Sequence, residues 1–333
     1  MRGSADSYFL FITGMVRALE NRLLGRGNFE AMLRFETGDD VVNILKGTSY
    51  SSLPVLNMEP FSAEILIKKV RGELFDFIDR YSLDTGAGYI FRLDYDYHNM
   101  KILLRRKIFS DGAGDILSDS GTISIESMTE IFEHEDYASL PVFMREAVSA
   151  AIEGYFGMKK IFIINPLFDR FLFADLLSSG ASEKSALIRN YIRVRIDAAN
   201  IMALLRINGR SAADEYADYL FVEGGVIDAG IFRAGVKEPV KRLSEIAAKH
   251  DLHGISAALS EKRNVIYAVE RECRAMMMRE LEAADFMITG IEPLFAYGCR
   301  ADNELKNIGM ILSSKFPEFD SSIAETMLLR GGE

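Results

Sequence analysis

Tryptophan is missing from this sequence of 333 residues, cysteine occurs twice, histidine four times and proline seven times. Two cysteines, Cys273 and Cys299, exclude a disulfide framework and fit a reducing compartment. Neither has CxxC spacing, and although His250 and His253 in AKHDLHG are spaced H-x2-H, no cysteine or acidic cluster completes a metal set around them. Long apolar runs are missing as well. YFLFITGMV and IFIINPLFDRFLF are short or broken by charge, well below the roughly 18 to 20 residues that a membrane span needs, so no direct membrane span is expected. The start, MRGSADSYFLF, has no long apolar region leading to a small-residue cleavage site, which argues against secretion. Positive charge is scarce: the formal net charge is −10 and no basic run exceeds LLRRK, so nucleic acid is not an expected partner.

Catalytic motifs are lacking too. There is no G-x4-G-K-[ST] and no G-x-S-x-G, and DTGAGY supplies Gly86 and Gly88 but has Phe91 where a dinucleotide loop needs its third glycine. The sequence therefore assigns no catalytic residue, no cofactor and no metal ligand, and the chain reads as a non-enzyme.

What it does contain is helical periodicity. FSAEILIKKVRGELFDFIDRY, MREAVSAAIEGYFGMKKIF, PVKRLSEIAAKH and NVIYAVERECRAMMMRELEAADF carry apolar residues at i, i+3, i+4 and i+7, as does VRALENRLLGRGNFEAMLRF around its glycine-marked GRGN. Strand-like alternation is rare, with KKIFIINPLF the one ambiguous segment, and the fold class is all-α. Glycine-marked loops such as SDGAGD, DSGTIS, INGRS and VEGGVID separate the helices without any linker of low complexity.

One pattern recurs. Arg92, Asp96 and Asn99 precede Met100, Leu103 and Leu104; Arg193, Asp197 and Asn200 precede Ile201, Leu204 and Leu205; Arg300, Glu304 and Asn307 precede Ile308, Ile311 and Leu312. The asparagines lie 101 and 107 residues apart, near a third of the chain, which divides it into three units of similar build, 1–109, 110–209 and 210–333. Short helical pieces open each unit (NFEAML, GTISIESMTEIF, GGVIDAGIF), and a pseudo-threefold helical body follows.

At about 100° per residue the Arg, the acid and the Asn of each copy fall within about 60° of one another and flank the apolar Leu103, Leu204 or Ile311. If that face is covered, its polar groups need partners, since each unpaired one costs about 1 to 3 kcal/mol. Arginine and acid are i, i+4 neighbours and are expected to pair. Asparagine is expected to bond the backbone of a crossing helix or loop. The alternative is that the three clusters grip a partner directly.

With these residues in hand, the chain resembles the C subunit of the V/A-type ATP synthases, the counterpart of the d subunit in eukaryotic V-type ATPases. The resemblance rests on VRALENRLL with FEAML, LDYDYHNMKILLRRK, SGTIS, NPLFDRFLF, IRVRIDAANIMALLR, LFVEGGVID and IEPLFAYGCRADNELKNIGMILSSK, in order along nearly the whole chain. It implies a funnel-shaped body of three similar helical domains and a non-catalytic component on the cytoplasmic face of the membrane, peripheral to it. The implied role is a socket between the central shaft subunits and the membrane rotor ring, serving proton or sodium transport. A helical-repeat scaffold or regulator unrelated to ATP synthases is the other reading. The family tends to carry a basic residue two places after the third asparagine, where this chain has Gly309, and Gly298 is expected to interrupt the third motif helix.

Overall fold

The structure, a computed structural model, describes residues 2–109, 116–207, 213–236, 238–250, 252–261 and 263–328. Among them no strand forms, so the all-α class holds. In chain order the helices are α1 (Arg2–Glu20), α2 (Arg26–Arg34), α3 (Gly38–Lys46), α4 (Ala63–Tyr81), α5 (Ala87–Phe109), α6 (Ile125–His134), α7 (Val142–Met158), α8 (Ile164–Ser178), α9 (Gly180–Lys184), α10 (Ala186–Ile207), α11 (Ala213–Leu220), α12 (Ala229–Gly235), α13 (Pro239–Lys249), α14 (His253–Leu259), α15 (Val265–Glu280), α16 (Glu292–Ser313) and α17 (Ser321–Met327). The ambiguous KKIFIINPLF is helical: a 3-10 turn at Ile161–Ile163 runs straight into α8. Gly298 does not interrupt its helix either. It is buried within a continuous α16, where close packing tolerates the roughly 1 kcal/mol that a helical glycine costs.

Contacts group the chain into two compact units, one of residues 1–83 with 257–333 and one of residues 84–256. The sequence-read boundaries near residues 110 and 210 fall outside the described residues.

Helices start where side chains can take up the orphan amides of a first turn. Ser62 caps α4 by accepting from Ile65 N, Ser124 caps α6 by accepting from Ser127 N, and Asp228 caps α12 by accepting from Ile231 N. In the first unit α4 packs along α16, with α1 and α2 also against α16 and α15 against α17. Phe75, Ile78, Leu66 and Phe295 are essentially removed from solvent there, and Phe77 meets Tyr297 edge to face at 5.9 Å. In the second unit α7 and α8 form the most extensive pair, with α5 and α10 also against α8. Tyr97 and Phe168, both fully buried, meet edge to face at 6.5 Å.

The three motif helices, α5, α10 and α16, are buried on more than one face. Besides the apolar positions, α5 buries Asp96 and Asn99, α10 buries Asp197 and Asn200, and α16 buries Glu304 and Asn307.

Candidate functional site

The buried polar groups of α5 grip one stretch of backbone, residues 118–123, here called a strap. Asn99 uses both ends of its amide on a single residue: Nδ2 donates to Ser118 O at 2.7 Å and Oδ1 accepts from Ser118 N at 2.8 Å. Two residues on, Arg92 donates to Ser120 O at 3.4 Å. Two further on, the Asp96 carboxylate accepts from Thr122 N at 2.9 Å, from Thr122 Oγ1 at 2.6 Å and from Ile123 N at 3.1 Å.

Helix α10 repeats this grip at the same offsets. Asn200 donates to Val222 O and accepts from Val222 N, both at 2.9 Å. Arg193 Nε donates to Gly224 O at 3.2 Å, and Asp197 accepts from Val226 N at 2.9 Å and Ile227 N at 3.0 Å. In both copies the last clasped residue stands just before the N-cap of the next helix, Ser124 or Asp228. A clasp therefore fixes where α6 and α12 begin. Glycine makes the approach possible: a Cβ on Gly121 would overlap the Asp96 carboxylate, and one on Gly225 the Asp197 carboxylate.

The arginines lie near enough to lower the pKa of Asp96 and Asp197, yet burial dominates and leaves both carboxyls above the usual range. The i, i+4 attraction is present, but the hydrogen bonds shown for the guanidiniums go to strap carbonyls. The bond to Ser120 is part-buried and the one to Gly224 exposed.

The third copy is built differently. Glu304 accepts from Leu24 N, just before the N-cap Gly25 of α2, and from the Tyr50 hydroxyl at 2.6 Å. Burial again raises its pKa and, with the adjacent carboxylate, raises that of Tyr50. Arg300 instead bridges Glu20 and Asp285, each at 2.7 Å, and Asn307 Oδ1 accepts from Arg274 at 2.7 Å. Each motif helix thus brings its own trio to one place.

Sequence reading did not single out Tyr50, Arg274, Gly121 or Gly225. The glycines were visible in the parallel strings SGTIS and GGVID, whereas Tyr50 and Arg274 carry no local signal. A further buried cluster, Asp175 accepting from the hydroxyls of Tyr89 at 3.2 Å and Tyr97 at 3.3 Å, was also unforeseen; burial pushes Asp175 up to about 6. Among the described residues no group of His, Cys, Asp and Glu is arranged to hold a metal ion, and no helix is long and apolar enough to cross a membrane.

Clasped loops of this kind describe a helical body, and comparison with known proteins supplies what they leave open. The sequence profile of the ATP synthase (C/AC39) subunit matches residues 12–325. This chain belongs to that family. Among its relatives, the C subunit of the A-type ATP synthase of Methanococcoides burtonii is 23% identical, with 98% of this chain and 95% of the relative covered. The corresponding C subunit of the A-type ATP synthase of Thermococcus onnurineus is 23% identical over 81% of this chain and 72% of its own. The C subunit of the V-type sodium ATPase of Enterococcus hirae is 18% identical over 92% of this chain and 93% of its own. Family membership thus covers all three motif helices, each of which lies within the matched residues.

Proposed function

We propose that this chain is a non-catalytic central-stalk subunit of a rotary V/A-type ATP synthase or ATPase, a socket that couples the central shaft to the membrane rotor ring. The observation that carries the reading is the family match along residues 12–325, together with near full-length relatives that are C subunits of A-type and V-type enzymes. On this reading it sits peripherally on the cytoplasmic face, and the transported ion is proton or sodium.

A coupler of this kind needs stiffness. Close-packed helices supply it, and the clasps add to it by tying strap backbone to the middle of the motif helices. The recurring offsets of the clasps at Asp96 and Asp197 support three units of similar build, read as 1–109, 110–209 and 210–333, arranged as a pseudo-threefold funnel. The nine motif residues then act first as braces, and their contact with a partner is secondary.

The test is affinity isolation of the tagged full chain from detergent-solubilised membranes, with the co-isolated subunits identified by mass. Shaft and ring subunits are expected together. Recovery with neither would overturn the reading.

A further inference from the structure

The third clasp lacks the feature that defines the other two. In those, the asparagine holds Ser118 or Val222, five residues before the last clasped amide at Ile123 or Ile227. Five residues before Leu24 stands Leu19, which lies inside α1 and whose carbonyl already accepts from Arg22 N. The counterpart of Gly121 and Gly225 is Arg22, which carries the Cβ and side chain that the two glycines lack. No strap runs here.

Asn307, only 2% exposed, is left with its Oδ1 on Arg274 and its Nδ2 donating to nothing among the described residues. Beside it, within the unit of residues 1–83 and 257–333, opens a cavity of about 1000 Å³ that Asn307 and Glu304 both line. That is large for an unused void, and it falls in the size range of binding pockets.

Its walls are acidic. Among the described residues six carboxylates face three guanidiniums. Glu20 and Asp285 are engaged by Arg17 and Arg300, and Glu272 by Arg271. Glu282, Glu304 and Glu325 have no ion pair among the described residues. A carboxylate has about four acceptor sites, so Glu304 retains capacity beyond its bonds to Leu24 and Tyr50.

We propose that this cavity is a strap seat, which takes an extended segment of another polypeptide that carries a lysine or arginine. A carbonyl of the segment accepts from Asn307 Nδ2, and its cation meets the unpaired carboxylates. A polypeptide is the favoured ligand because the same residue types grip polypeptide in the same way at Asn99 and Asn200. The inference rests on the stalk reading only in requiring that the chain belong to a multisubunit complex.

The experiment places the photo-crosslinking amino acid p-benzoylphenylalanine at Met278 in the cavity wall or at Glu325 on its rim, with Phe319, exposed and outside the cavity, as control. The complex is isolated from membranes, irradiated, and its crosslinked peptides are sequenced by mass spectrometry. A crosslink is expected from position 278 or 325, and not from 319, to one lysine- or arginine-containing segment of another subunit. In N307D, which keeps the acceptor for Arg274 and removes the donor, the yield should fall at least fivefold.

Crosslinks confined to this chain, a partner segment without a cation, no crosslink in a complex that contains shaft and ring, or an unchanged yield in N307D would each overturn the proposal. A chain recovered without other subunits would overturn the stalk reading, and this inference with it.

Discussion

Replacing Gly121 by alanine tests the clasp at its tightest point. The added Cβ would overlap Asp96 Oδ1, so either the strap or the carboxylate must move. Asp96 is fully buried and receives three bonds from the strap, two from Thr122 and one from Ile123. Overpacking alone costs about 1 to 3 kcal/mol, and each bond lost to a charged group about 1.5 to 3 kcal/mol. Loss of two of the three would cost about 3 to 6 kcal/mol, and relaxation of the strap brings the expectation to about 3 kcal/mol. Gly225→Ala should behave alike, because its Cβ meets Asp197 in the same way. Gly157→Ala, on an exposed turn of α7 with open space around it, is the control; it should be neutral, or stabilising by up to about 1 kcal/mol. Urea denaturation gives the stability change, and amide hydrogen exchange localises it. The Thr122 and Ile123 amides should be protected in the wild type and exchange fast in the variant. A Gly121→Ala protein within about 0.5 kcal/mol of wild type, with those amides still protected, would refute the reasoning.

Two further outcomes follow from the same geometry. Asn200→Leu strands the buried N–H and C=O of Val222 and should cost about 2 to 4 kcal/mol. Asn307→Leu loses only the bond from Arg274 and should cost less, so equal losses of melting temperature would count against the difference between the clasps. Asp175, raised to about 6 in the folded state against about 3.9 unfolded, binds its proton more tightly when folded. Its contribution to stability is therefore complete below about 4 and is lost as pH rises through about 6. Wild type should gain on Asp175→Asn between pH 7.5 and 5 in thermal melts; a pH-independent difference would exclude that role.

The helices were legible because apolar periodicity is local, and the trio was legible because it recurs. Its partners were not. Arginine and acid at i, i+4 suggest a pair within the helix, but a strap that arrives 19 to 30 residues later brings carbonyls and amides to which these side chains also bond. The third copy shows the limit more clearly. Its trio matches the others in spacing, and only Arg22 standing where SGTIS and GGVID have glycine signals that no strap can follow. The Asp175 cluster was hidden for a similar reason: Tyr89 and Tyr97 lie 86 and 78 residues from it.

The bond between Leu24 and Glu304 spans 280 residues, whereas the bonds to Asp96 and Asp197 span 30 or fewer. At roughly 5 to 20 residues per second of synthesis, the amide of Leu24 waits about 15 to 55 s for its acceptor. Residues 84–256 are complete well before that moment. During the interval α1, α2 and α4 are on the ribosome without α16, the helix against which all three pack, and their apolar faces are exposed to whatever chaperones are at hand. The last third of the message therefore decides when the first part of the chain becomes safe from aggregation.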